Sequence, residues 1–214
     1  MPDGALMISI EVLAVFFSVS VALGLAPGPD NIFVLTQSAL YGRLAGFVVT
    51  LGLCVGLMVH TAAVAVGVAA LFQTSAVAFT VLKAVGAAYL IFLAWQAFRA
   101  GAAKLPDDAN AGVSLRRLFG RGIVMNVTNP KVAIFFLAFL PQFADPLAGS
   151  LTVQLFTLGA VFILSTLVVF GAVAWGAGYL GAWLRRSPKA QTIMNRVAGA
   201  VFVGLALRLA TAER

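Results

Sequence analysis

Six apolar stretches divide the chain, over residues 8–26, 44–72, 76–98, 118–140, 151–183 and 192–210. Each meets the roughly 20 residues a helix needs to cross about 30 Å of hydrocarbon. None shows the sustained alternation that an outer-membrane barrel strand requires. The pattern predicts an all-α, polytopic membrane protein with six transmembrane helices. One substantial polar segment, "GAAKLPDDANAGVSLR" at 101–116, separates halves of about 8–100 and 117–210. Three spans per half make the second half enter the membrane upside down, an inverted 3+3 repeat with any site between the halves near the midplane. No polar block is long enough for a second domain, so residues 1–214 read as a single transmembrane domain.

The first and fourth stretches are interrupted at matching places. In "LGLAPGPDNIFVL" (23–35), Pro27 and Pro29 lack amide donors and push the preceding residues out of the α region. Gly28 between them lets the chain turn at little steric cost. The helix is expected to stop near Ala26 and restart at Pro29, since proline suits the first helical position. Asp30 then falls in the first turn, at the positive end of the new helix. In "MNVTNPKVAIFF" (125–136), Asn126, Thr128 and Asn129 can cap freed amides, and Pro130 opens the next half-helix. Pro29 lies 12 residues before Tyr41, and Pro130 lies 12 before Gln142. Each proline therefore begins a segment rising roughly 18 Å, which puts both breaks at membrane depth. Freed backbone groups are costly in lipid, so each break must be buried in protein or line a wet cavity.

Composition agrees with a lipid solvent: 62% of residues are hydrophobic and 10% charged. "MPDGALMISIE" lacks the basic region of a signal peptide, so the first helix is expected to be retained. Basic residues outnumber acidic ones 14 to 7 and gather at Arg43, at Arg99 to Arg121, and at Arg185 to Arg196. Those are alternate loops. By the positive-inside rule they face the cytoplasm and both termini face outward. The net charge is thus a topology signal, with no call for nucleic acid. Cys54 is the only cysteine, which excludes internal disulfides and thiolate metal centres.

Ionisable groups inside the apolar segments carry the candidate chemistry. Lys131 is the basic residue placed deep in a span, and Asp30 holds the matching position in the other half. Two readings stand side by side. Either they form a static ion pair that offsets their desolvation, or they part for an α-amino acid, Asp30 taking its ammonium and Lys131 its carboxylate. His60, the only histidine, is a candidate for the coupling proton or a packing residue beside Thr61. Glu11 reads as interfacial. Small residues at Gly42/Gly46, Gly52/Gly56 and Ala63/Gly67 have helix-contact spacing, for internal packing or a homodimer. Trp95, Tyr179 and Trp183 fit an interfacial belt.

Three blocks, "APGPDNIFVLTQSALYGRLAG", "LKAVGAAYLIFLAWQAFRAG" and "NVTNPKVAIFFLAFLPQF", resemble the signature blocks of the LysE/RhtB family of bacterial amino-acid exporters. The resemblance runs from Pro27 to the final helix. It implies an inner-membrane carrier that expels amino acids such as lysine, threonine, homoserine or leucine, driven by the proton-motive force. Pro27, Gly28, Pro29 and Asp30 match the family's first-helix motif; Asn129, Pro130 and Lys131 match its fourth-helix motif. The expected partners are an amino acid, protons and the lipid bilayer. No cofactor is expected. An intramembrane enzyme is disfavoured, because one His, one Cys and seven acids mostly near loops do not assemble a metal site or dyad. A metal or inorganic-ion exporter of the same superfamily is the alternative, although Asp30 has little carboxylate company for a hard cation. A channel would differ in showing neither saturation nor proton coupling.

Overall fold

The structure is a computed structural model and describes residues 8–26, 28–74, 76–99 and 114–211. Pro27 and most of the 101–116 segment lie outside the described residues. The fold is all-helical: α1 (Ile10–Leu25), α2 (Pro29–Tyr41), α3 (Arg43–Thr74), α4 (Ala76–Arg99), α5 (Leu115–Val127), α6 (Pro130–Ile134), α7 (Leu151–Arg186) and α8 (Pro188–Thr211). A π-helical turn, Phe135–Phe139, and a 3-10 turn, Leu140–Phe143, continue α6 without a gap.

Both expected interruptions are present. The pair α1 and α2 bends by 64° across the first break, and α5 bends by 48° against the segment Pro130–Phe143 across the second. Prolines set both restarts, because Pro29 and Pro130 each occupy the first helical position. The π turn was not legible in advance. It lies where Phe135, Phe136 and Phe139 are all fully buried, and it widens the helix just past the second break.

Burial runs opposite to that of a soluble protein. Asp30, Lys131, Asn126, Asn129 and Gln154 are buried, whereas Met58, Val59, Leu164, Val168 and Leu207 face outward. Such an apolar exterior around a polar interior fits hydrocarbon as the solvent. Among the described residues, α3 over Arg43–Gly67 and α7 over Leu151–Ala177 are long and apolar enough to cross a membrane alone. Counting each bent pair as one span gives four. The described apolar part of α4, Ala84–Arg99, falls short of a span, and α8 carries Lys189 and Arg196 in its first ten residues.

Helix packing divides into two groups. The helices α1, α2, α3, α5 and α7 form one, with α3 lying against both α5 and α7. The pair α4 and α8 packs chiefly on itself and meets the rest through the π turn and α1. Exchanging the halves turns some pairings into others, α3 on α5 into α7 on α1, but the packing of α2 on α3 has no comparable counterpart between α7 and the segment after the second break.

Two apolar cores follow. In one, Phe33, Val49, Leu53, Leu118 and Phe170 fill the space among α2, α3, α5 and α7. In the other, six phenylalanines stack beyond the second break. Phe16 meets Phe143 edge-on at 4.9 Å, Phe135 lies 4.9 Å from Phe139, and Phe162 lies 5.0 Å from Phe136. Aromatic pairs at these separations add to their area burial.

The small-residue spacing around α3 resolves in part into internal contact, at Gly46, Gly52 and Gly56. At Gly52 and Gly122 the backbones of α3 and α5 touch, and a Cβ at Gly122 would fall 2.5 Å from the Val49 carbonyl oxygen. Gly46 faces Ser38 and Ala174. Gly42 and Gly67 have open space around them, so they do not share this role. Gly122→Ala is therefore expected to cost about 1–3 kcal/mol, because rigid backbone must move. Gly67→Ala is expected to cost nothing. Thermal midpoints of the detergent-solubilised variants check this, and equal midpoints would refute the close α3–α5 crossing.

Candidate functional site

The two breaks lie against each other, and each is completed by a side chain from the opposite half. α1 ends at Leu25, which frees its last carbonyls. Lys131, from the second break, donates from Nζ to Ala26 O at 3.2 Å and to Leu23 O at 3.4 Å. A cation there also meets the negative end of α1's dipole. In the other direction, Asn126 at the end of α5 donates from Nδ2 to Asp30 Oδ2 at 3.4 Å. A local bond adds to this stitching: Asn31 Nδ2 donates to Gly24 O at 2.6 Å.

Asp30 and Lys131 are 2% and 6% exposed, and each lies within electrostatic reach of the other. They are not hydrogen-bonded to one another; their partners are Asn126 and the α1 carbonyls. Two separate tethers thus hold the two charges, with no direct hydrogen bond between them.

Local chemistry explains the caps. Asn129 is the N-cap of α6, its Oδ1 accepting from Lys131 N at 3.0 Å. Thr128 instead donates from Oγ1 to Val124 O at 2.8 Å, and Asn126 reaches across to Asp30. Gly28 is extended, with φ −175° and ψ 178°, a conformation open to any residue. Its absent side chain makes room for Lys131, since a Cβ there would lie 3.0 Å from Nζ. Space, not turning, is what this glycine supplies.

His60 joins the cluster from α3. Its Nε2 lies 3.1 Å from the Asn126 carbonyl oxygen, and its ring centroid is 5.7 Å from that of Phe136. A carbonyl only accepts, so Nε2 carries a proton in this contact. Gly56, one turn earlier on α3, leaves room for Asn126: a Cβ there would fall 2.7 Å from both Asn126 Cβ and Oδ1. The small-residue spacing flagged Gly56 as a packing position, but nothing in it pointed to this place in the site.

Pairing around the breaks is incomplete. Asp30 Oδ1, Asn31 Oδ1, Asn126 Oδ1 and Asn129 Nδ2 are buried without a hydrogen-bond partner in the protein. Such groups are expensive unless water or a ligand meets them. Beside them lies a cavity of about 480 Å³, bounded by Gly28, Asn129 and Lys131 on one side and by Tyr89, Gln96 and Phe202 on the other. Of the nine site residues expected from the chain, Gly28, Pro29, Asn129, Pro130 and Lys131 line this cavity. Asp30, Asn126 and His60 do not border it; they are linked through Asn126, and Asp30 also lies within electrostatic reach of Lys131. Pro27 lies outside the described residues.

The LysE type translocator family model matches residues 21–213. The chain belongs to the LysE type translocator family. It is 36% identical over 194 residues to a homoserine/homoserine lactone efflux protein of Salmonella typhi, covering 91% of this chain and 93% of the relative. The Salmonella typhimurium protein of that name is 37% identical over the same length. An uncharacterized membrane protein of Vibrio cholerae is 34% identical over 205 residues, covering 95% of this chain and 98% of the relative. No solved structure matches the chain. Membership makes this a membrane translocator.

The tether from Lys131 carries a stability prediction for this LysE-type protein. Lys131→Met leaves the Leu23 and Ala26 carbonyls unmet, at about 1–3 kcal/mol for each buried group. The expected readout is a lower thermal midpoint in detergent. A midpoint equal to wild type would show that the ammonium does not hold the end of α1.

Proposed function

We propose that this protein exports an amino acid or a close derivative across the bacterial inner membrane by proton antiport, through a site between its two helix breaks. The observation that carries the proposal is the buried, incompletely paired polar cluster at two proline-broken helices, with a cavity alongside. Broken helices facing each other at membrane depth are how secondary transporters present dipole ends and spare backbone groups to a polar solute. Six spans in two inverted halves is the arrangement this reading adopts, supported by the packing of α3 on α5 and of α7 on α1, which exchange of the halves interconverts.

The site divides the labour between two charges. Lys131 borders the cavity and would take the substrate carboxylate. Asp30 does not border it; it sits with Asn126 and within electrostatic reach of His60. That placement suits a group that takes up and releases the coupling proton. Proton binding at Asp30 would weaken its hold on Asn126 and so couple to the second break, where Lys131 and Asn129 meet the substrate. Homoserine or its lactone, named for the Salmonella relatives, is the first substrate to test. A cation exporter fits less well, because Asp30 is the one carboxylate at the breaks and Lys131 already lies within its electrostatic reach.

Orientation follows from the basic loops. Arg43 lies over Trp175 at 4.5 Å and Arg99 over Trp95 at 4.6 Å. Arginine stacked on tryptophan suits a lipid interface, and the basic loop charges support a cytoplasmic position for that end.

Asp30→Asn tests the coupling. Reconstituted vesicles loaded with labelled homoserine should release it faster when a pH gradient is imposed, and the variant should lose that acceleration. Gradient-driven efflux unchanged in the variant would remove Asp30 from the mechanism.

A further inference from the structure

We propose that the cavity beside the breaks selects amino acids whose side chains carry no charge, and that Gln96 on α4 sets this preference. The proposal rests on the export reading above. It concerns the wall across from the breaks, which that reading leaves without a role.

The cavity has two unlike sides. Among the residues of the breaks that border the cavity, the spare hydrogen-bonding capacity is of donor type. Lys131 Nζ has three N–H groups and two protein acceptors, Leu23 O and Ala26 O. Asn129 is 3% exposed, borders the cavity, and has an unpartnered Nδ2, while its Oδ1 is already engaged by Lys131 N. A positive, donor-rich side takes a carboxylate or another oxygen acceptor. It therefore fixes which end of an amino acid points at the breaks.

The side chain is then left to α4 and α8. Tyr89, Phe92 and Gln96 recur at helical spacing on one face of α4, and Phe202 of α8 adds a ring. Tyr89 and Gln96 offer neutral hydrogen-bonding groups among aromatic surface. A glutamine amide facing hydrocarbon would be costly, so a wet cavity is its natural place. Among the described residues bordering the cavity, none is a carboxylate. Positive charge is already present at Lys131. A lysine or arginine substrate would bring a further cation to a wall that carries no carboxylate, while Asp30 behind the breaks is already set against Lys131. A hydroxyl-bearing or short apolar side chain meets either a hydrogen-bonding group or a ring. The volume, about 480 Å³, also lies within the usual range for small-molecule sites.

The test uses the full-length protein in vesicles, with a panel of labelled neutral amino acids that includes homoserine, and labelled lysine. Wild type should carry at least one neutral amino acid and carry lysine roughly tenfold less well or worse. Gln96→Glu supplies the missing counter-charge and should move the lysine-to-neutral ratio toward lysine by roughly tenfold. Lysine carried as well as the neutral panel by wild type would overturn the proposal while leaving export intact. A ratio unmoved by Gln96→Glu in protein that still transports would remove Gln96 as the determinant. Transport of no amino acid by wild type would overturn the export reading itself, and this proposal with it. Should the charged variant fail to insert, the wild-type comparison still decides the selectivity.

Discussion

Everything at the centre of this protein follows from one constraint: a peptide group freed from a helix inside hydrocarbon must find a partner. Two helices are broken here, and the partners come from the opposite half. The Lys131 ammonium closes the end of α1, and Asn126 reaches Asp30 at the start of α2. Removing one side chain would therefore disturb the break it does not belong to. The same reciprocity offers a route by which a change at one break is felt at the other, which a carrier needs if proton and substrate are to be coupled.

Room for these tethers is made by absence. Gly28 leaves space for the Lys131 ammonium, and Gly56 leaves space for Asn126. At Gly52 and Gly122 the absence of side chains lets α3 and α5 touch backbone to backbone, holding α5 and the second break against the bundle. Without a hydrophobic effect to press helices together in lipid, such close approach is a main source of association. The phenylalanine cluster fills the space just past the second break with stacked rings, so the polar cluster borders tightly packed apolar surface there.

The separation of Asp30 from the cavity changes the chemical picture expected from the chain. Matching positions in the two halves suggested a pair that either joins or straddles a zwitterion. The fold instead gives Lys131 to the cavity and Asp30 to Asn126, within reach of His60. In the export mechanism proposed, substrate and proton then use neighbouring but distinct groups. That arrangement avoids asking a single carboxylate to bind an ammonium and a proton in turn.

Much of this was determined along the chain. Hydrocarbon selects for long apolar runs, so the membrane class was legible from hydropathy alone. Proline lacks an amide hydrogen, so the restarts at Pro29 and Pro130 were legible to the residue. Asn129 as an N-cap followed from the same local rules, and three sequence blocks were enough to place the family. What only the tertiary structure decided is non-local. Which carbonyls Lys131 meets, why Gly28 and Gly56 are glycines, and which helices wall the cavity all depend on segments separated by up to about a hundred residues. Hydrogen bonds and close contacts of that kind leave no local period in a sequence, because each end is chosen by shape and polarity at a meeting point that exists only once the helices have packed.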